Sequence, residues 1–121
     1  ALDSQGNILI SEIQTGAIRR VDAQTGVIAT VANARTYSLA INERDEVFVS
    51  SDLGRIYKLD LSSGMLTAVA GTGVTGLSGD GGPAIEDQVN YPRGFAFDSS
   101  GNFYFADQSN NRVRVIRGPI P

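Results

Sequence analysis

Ala1-Leu-Asp-Ser-Gln-Gly-Asn7-Ile-Leu-Ile10 returns later in the chain as Ala96-Phe-Asp-Ser-Ser-Gly-Asn102-Phe-Tyr-Phe105. A third copy, altered in its turn, is Ala40-Ile-Asn-Glu-Arg-Asp-Glu46-Val-Phe-Val49. A second segment repeats as well. Ile18-Arg-Arg-Val-Asp22-Ala-Gln-Thr-Gly26-Val-Ile-Ala-Thr-Val-Ala32 aligns with Ile56-Tyr-Lys-Leu-Asp60-Leu-Ser-Ser-Gly64-Met-Leu-Thr-Ala-Val-Ala70. The copies start 39 residues apart from Ala1 to Ala40 and 56 apart from Ala40 to Ala96. The excess falls in a Gly-rich insertion after Ala70. A base period of about 40 residues belongs to solenoids and propellers.

Each repeat reads as short strands of β-branched, aliphatic and aromatic residues bounded by Gly, Asn, Asp and Ser. Four strands, A to D, make the unit. Strand A is Leu39–Asn42 and Phe95–Asp98. Strand B is Ile8–Glu12, Val47–Ser51 and Phe103–Asp107. Strand C is Ala17–Asp22, Arg55–Asp60 and Arg112–Arg117. Strand D is Val27–Ala32 and Met65–Ala70. Strand B is almost continuously apolar, which suits a strand covered on both faces. Strand C mixes charges with aliphatics, which suits a position nearer an outer edge. Asp opens the Asp3–Asn7 and Asp98–Asn102 A–B turns and the Asp22–Gly26 and Asp60–Gly64 C–D turns by accepting nearby backbone N–H groups, and Gly takes the φ > 0 position. No window sustains a helical period. The one helical turn expected lies in Pro83–Val89, with Pro at an N1-like position. The fold class is therefore all-β: a partial β-propeller of about three four-stranded antiparallel blades, the first and last incomplete. Residues 1–36 form blade one with strand A truncated, and 37–70 form blade two. Residues 71–92 form an inter-blade loop, and 93–121 form blade three with strand D missing.

Composition removes several function classes. The 121 residues carry 10 Lys and Arg against 13 Asp and Glu, a net charge of −3. That is not the basic footprint of a nucleic-acid or polybasic membrane surface. No Cys means no thiolate nucleophile or Cys-ligated zinc, and no His means no Ser-His-Asp triad or HExxH site. No apolar run approaches the roughly 20 residues of a membrane span, so no membrane insertion is expected.

Val69-Ala-Gly-Thr-Gly-Val-Thr-Gly-Leu-Ser-Gly-Asp-Gly-Gly-Pro-Ala84 resembles the linker between blades of bacterial NHL-repeat β-propellers. Asn90-Tyr-Pro-Arg-Gly-Phe-Ala-Phe-Asp-Ser-Ser-Gly-Asn-Phe-Tyr-Phe-Ala-Asp107 continues the resemblance, and Asn110-Asn-Arg-Val-Arg-Val-Ile116 resembles the third strand of such a blade. The likeness spans about residues 1–117. In repeat two, Asp45-Glu46 replaces Gly-Asn and Ser50-Ser51 replaces Ala-Asp. In repeat one, Ser11-Glu12 stands for Ala-Asp and the Asn-x-Arg motif is missing. The resemblance implies a propeller, often six-bladed, used mainly as a binding surface for proteins, glycans or nucleic acids. It also implies a frequent extracytoplasmic location. A minority of similar propellers are lyases or lactonases with a metal at the central channel.

Single motifs favour structural roles. Gly71-Thr-Gly73-Val-Thr-Gly76 matches GxGxxG, but Ser78-Gly-Asp-Gly-Gly-Pro83 follows, where a dinucleotide site needs a helix. Asp80 is expected to cap its own loop or the Pro83 turn, with ion or ligand binding as the alternative. The Asp-x-x-Gly-Asn turns lack the further carboxylates of a calcium loop. Arg112 and Arg114 share one strand face, and an ion pair between Asp107 and Arg112 is expected across the hairpin. Arg19, Arg20, Lys58 and Arg117 are expected to be solvated.

In an up-and-down blade the A–B and C–D turns share one end, and the B–C and D–A loops share the other. The second set holds residues 71–92 and the variable segments Ile13–Gly16, Asp52–Gly54 and Gln108–Asn111. Variable loops on a rigid scaffold are the usual place for binding. The candidate binding face comprises Ser78, Asp80, Arg93, Asp107, Asn110 and Arg112, with Tyr37–Ser38 and Arg93–Gly94 entering strand A. No catalytic residue, metal or cofactor is assigned. A non-enzymatic scaffold with protein or glycan ligands is favoured, and a metal-dependent propeller lyase or lactonase is the alternative. Three blades fall short of the roughly four to eight of a closed ring. The chain is thus expected to be a piece of a longer propeller, or to pair with another copy as six blades. It is not expected as an isolated monomer.

Overall fold

The computed structural model describes residues 1–51 and 54–120, with the side chain of Ser51 left out. The Asp52–Leu53 part of the second B–C loop, and Pro121, lie outside the described residues. Ten strands form three antiparallel sheets. Sheet one is β1 (Ile8–Glu12), β2 (Ala17–Val21) and β3 (Ile28–Asn33). Sheet two is β4 (Leu39–Ile41), β5 (Val47–Ser51), β6 (Arg55–Leu59) and β7 (Leu66–Ala70). Sheet three is β8 (Pro92–Phe97), β9 (Phe103–Asp107) and β10 (Arg112–Ile116). Each is an up-and-down meander in chain order. The first sheet thus supplies strands B to D, the second A to D and the third A to C. Ahead of β1 there is one isolated bridge, Leu2 to Ile8.

Strand alternation lets the middle sheet bury both faces. Val47, Val49 and Leu59 turn toward sheet one and pack with Leu9, Ile18 and Ala32. Phe48, Ile56 and Ala70 turn the other way and pack with Phe103 and Phe105. All five phenylalanines of the chain join this second interface. The Phe103 ring lies 4.7 Å from that of Phe97, 4.8 Å from Phe95 and 5.5 Å from Phe48. Apolar side chains also lie exposed on the outward faces: Ile8 and Ile10 on sheet one, Val113 and Val115 on sheet three.

The repeat extends to irregularities. The β2–β3 and β6–β7 ladders both shift register at the second residue of strand C, between Ile18 and Arg19 and between Ile56 and Tyr57. Val31 and Val69 are the extra residues of these bulges. A third shift falls between Arg93 and Phe95. It makes β8 start at Pro92, three residues before the position expected from sequence. The helical turn is also shorter than expected, a 3-10 turn over Ala84–Glu86.

The turns explain the altered second copy. Asp3 accepts the Asn7 N–H and side-chain amide, both at 2.9 Å. Asp98 accepts the same two groups of Asn102, at 3.0 and 2.9 Å. Asn7 and Asn102 then accept backbone N–H groups of Ala23 and Gly118, which ties the A–B turn to the segment after strand C. In sheet two the pair is reversed: the Asn42 side-chain amide donates to Glu46 at 2.7 Å. Glu46 also pairs with Lys58 at 2.6 Å and Arg44 at 3.0 Å. Asp45 replaces Gly at φ 59, close to the φ of 81 at Gly6 and 80 at Gly101. Asp tolerates this left-handed region better than most residues. Its carboxylate accepts the N–H of Ser4, in the turn before β1. Two charges expected to be solvated are therefore paired, Lys58 with Glu46 and Arg19 with Glu12 at 3.2 Å.

Two outcomes follow from this packing. Phe103→Ala empties the centre of the aromatic interface and should cost about 3–5 kcal/mol in urea unfolding. An exposed change such as Gln24→Ala should stay within about 0.5 kcal/mol. The second outcome concerns acid. Hydrogen bonds from the Asn102 side chain and N–H hold the Asp98 carboxyl below its ordinary value. Ser62 does the same for Asp60, and the Thr25 and Gln24 N–H groups do it for Asp22. These carboxyls take up protons more readily unfolded than folded. Their stabilisation is complete above the unfolded value of about 4 and fades as pH falls through the depressed folded values. Urea midpoints measured from pH 6 to pH 3 should fall on the acid side, and Asp98→Ala should shallow that fall.

Candidate functional site

The residues at 71–92 fold back on themselves and on sheet three. Gly71 N–H donates to Ala84 O at 3.0 Å, closing the loop at its base. A Cβ at Gly71 would sit 2.0 Å from Gly54 O at φ +85, so no other residue fits there. The far part of the loop is held by Arg114 on β10, whose side chain is only 9% exposed. Its guanidinium donates from Nη2 to Ser78 O at 2.8 Å and from Nη1 to Gln88 O at 2.9 Å. The Nη1 group also meets Asp107 Oδ2 at 3.3 Å, and Nη2 meets Asp80 Oδ1 at 3.0 Å. Asp87 Oδ2 lies 3.9 Å away. A buried guanidinium has to be paired and hydrogen-bonded on all sides, and this one draws both ends of the loop to one strand.

Asp107 ends β9 and is fully buried. Its Oδ1 accepts the Asn90 N–H at 2.7 Å, and its Oδ2 accepts the Asn110 side-chain amide at 2.9 Å. The same Asn110 amide donates to Gly76 O at 2.7 Å. Gly79 lies against Asp87 so closely that a Cβ would come within 1.5 Å of its Oδ1. Ser78 Oγ accepts the Gln88 N–H at 2.9 Å.

Four of the six candidate residues thus converge: Ser78, Asp80 and Asp107 contact Arg114, and Asn110 joins them through Asp107. The structure corrects two expectations. Asp107 is paired with Arg114, not Arg112. Arg112 is its direct cross-strand partner, yet Arg112 is exposed and donates to Asn110 O at 3.3 Å, with no ion pair to Asp107 among the described residues. Arg114 lies one pleat further on the same face as Phe105, directed into the space between sheets two and three. Asp80 caps neither its loop nor the helical turn, whose start carries no side-chain cap; it is an exposed partner of Arg114. Asp87 and Gln88 were missed, because their contacts to Arg114 span 27 and 26 positions.

Arg93 stands apart from this cluster. The bulge beside it re-aims the side chain, and its guanidinium carbon lies 4.6 Å from the centre of the Tyr37 ring. Gly94 N–H donates to Ser38 Oγ at 3.2 Å. The two entrances to strand A are therefore joined across sheets two and three. Tyr91 next to them has φ 55, a left-handed conformation unusual for a bulky residue. Among the described residues no group of His, Cys, Asp and Glu is arranged to hold a metal ion.

No protein-family model matches the chain, and no curated protein matches it. Solved structures do. An auxiliary nutrient binding protein from Bacteroides thetaiotaomicron is similar over 94% of this chain at 16% identity, with a TM-score of 0.70 over 32% of its own length. A second protein from the same organism, of unknown function, matches 91% of this chain at 16% identity, with a TM-score of 0.76 over 32% of its length. Virginiamycin B lyase from Staphylococcus aureus, in a catalytically inactive His-to-Ala variant with quinupristin, matches the whole chain at 14% identity, with a TM-score of 0.61 over 41% of its length. The chain spans 32–41% of the length of these neighbours. These neighbours are β-propeller-like. The chain is a partial β-propeller: three antiparallel sheets stacked face to face, four-stranded in the middle and three-stranded on either side.

Arg114→Ala leaves a buried carboxylate at Asp107 unpaired and should cost about 3–5 kcal/mol. Limited proteolysis of that variant should cut within 71–92 first. Arg112→Ala should change the urea midpoint little and leave the cleavage pattern as in the parent.

Proposed function

We propose that the chain is part of an NHL-type propeller that acts as a non-enzymatic binding scaffold, with protein or glycan ligands held on the face of the B–C and D–A loops. The observation that carries this reading is the clamped loop. A Gly-rich stretch of this length is conformationally costly to order, yet Arg114 and Asp107 fix it in one shape, at the end of the sheets that also carries the separate Arg93–Tyr37 pair. A preorganised surface binds without an ordering cost at the moment of contact. The likeness to a nutrient binding protein is in keeping with this role, as is the NHL-like linker that forms the loop. The exposed apolar faces of sheets one and three support completion of the ring by further blades or other copies.

The likeness to virginiamycin B lyase supports a second reading, a propeller enzyme. That lyase is inactive with one His changed to Ala, and this chain has no His. Catalysis of that kind would have to draw its His from outside these 121 residues.

Glycan and protein arrays probed with the chain test the proposal. Binding should weaken by about tenfold or more in Arg93→Ala and Tyr37→Ala, the size expected for anchor side chains. It should be untouched by Ser62→Ala at the opposite end. Binding that survives the first two changes and fails with the third would reverse the assignment of the face. Consumption of quinupristin by the chain would favour the enzyme.

A further inference from the structure

Half-buried and buried cations in this fold are matched by the chain's own carboxylates. Arg19 meets Glu12, Lys58 meets Glu46, and Arg114 meets Asp80 and Asp107. Arg93 is half-buried too, yet among the described residues it meets no carboxylate and donates no hydrogen bond; it lies over the Tyr37 ring. Ring contact steadies the cation and leaves its planar fork of N–H donors available. Tyr37 and Arg93 hold the same place in the repeat, 56 residues apart like Ala40 and Ala96. They stand where strands A of two adjacent sheets begin, so the pair is internal to the packing of sheets two and three.

Tyr91 lies two residues before Arg93, within about 7 Å along the chain. It is 42% exposed, and its φ of 55 is held from both sides. Asp107 Oδ1 accepts the Asn90 N–H at 2.7 Å, and the Asn90 and Tyr91 carbonyls accept the Ser109 and Gln108 N–H groups at 3.1 and 3.4 Å. A costly conformation is thus maintained where it presents an exposed aromatic residue, as strain at ligand clamps is. On the other side of Arg93, Gly94 is exposed and has no atom within 4 Å of the place a Cβ would take.

We infer that this corner anchors a hexuronate unit of an acidic glycan, an inference that rests on the glycan-binding reading of the loop-rich face. The carboxylate of the sugar supplies the partner that Arg93 lacks, bidentate on the guanidinium. The apolar face of the pyranose ring covers Tyr91, whose phenol offers an apolar body and a polar tip. An Asp or Glu side chain brings the carboxylate without such a face, so an acidic peptide fits less well. A neutral sugar brings the face and leaves the cation unpaired.

The test titrates the 121-residue chain with trimers of galacturonate, glucuronate and mannuronate in a calorimeter. At least one trimer should bind saturably. Its methyl ester, the same sugar without the charge, should bind about tenfold or more weakly. Arg93→Ala should cause a similar loss, and Arg93→Lys, which keeps the charge and removes the fork, should fall between. Tyr91→Ala should weaken binding, whereas Tyr91→Phe should not. Affinity should drop as salt rises. No binding of any trimer at millimolar concentration overturns the inference, as does equal affinity for acid and ester on the unaltered chain. Neutral glycans that bind through Arg93 and Tyr37 in place of the trimers would overturn the hexuronate and leave the binding face standing. Trimer binding kept in Arg93→Ala and lost in Ser62→Ala would overturn both. Preference for a hexa-Glu peptide over the trimers, dependent on Arg93, would assign the corner to an acidic protein segment and overturn the inference.

Discussion

The guanidinium of Arg114 is the constraint on which the loop-rich face depends. A buried cation is tolerated only where every donor finds a partner. Here the partners come from three segments: the end of β9, the Ser78–Asp80 corner and the Asp87–Gln88 stretch before β8. Satisfying one side chain therefore fixes the course of the loop. The glycines follow from the same demand. Gly79 leaves room for the Asp87 carboxylate, and Gly71 lets the chain pass the carbonyl of Gly54. The loop is thus built around contacts that other residues would block, rather than being merely flexible in composition.

Behind it, the strands supply a stiff support through period-two alternation. The middle sheet has no solvent face at its centre: Val47 and Val49 serve one neighbour and Phe48 the other. Phe103 then fixes sheet three by meeting rings from both sheets. Because the sheets stack rather than lie side by side, the loops of each fall at common ends. Asn7 and Asn102 secure one end by bonding across turns. Asp107 secures the other by bonding across loops. One face is short and stereotyped, and the other carries the long loop and the Arg93–Tyr37 pair.

Much of the fold was legible in the sequence, because it rests on local chemistry. An Asp followed four residues later by Asn, with Gly between, specifies the same turn in two copies. The Asn42–Glu46 copy keeps it by reversing donor and acceptor. Strand identity followed from runs such as Val47–Val49. The site was legible only in part. Asp107 could be read as an ion-pair partner, but the choice between Arg112 and Arg114 depends on which of two same-face residues turns inward at the hairpin. That depends on the space left by the loop, which neither strand encodes. The Asp80 contact joins residues 34 positions apart. The bulge that moved the start of β8 to Pro92 depends on Gly94 at φ +60, a conformation that a Gly permits without requiring.

The central claim is that residues 76–90 form one ordered surface held from within by a buried charge. Amide hydrogen exchange of the unmodified chain addresses it directly. The account expects the Gln88 and Asn90 amides, which donate to Ser78 Oγ and Asp107 Oδ1, to exchange with protection comparable to β9. Exchange of those two amides at the rate of an unstructured chain, while β9 stays protected, would contradict it.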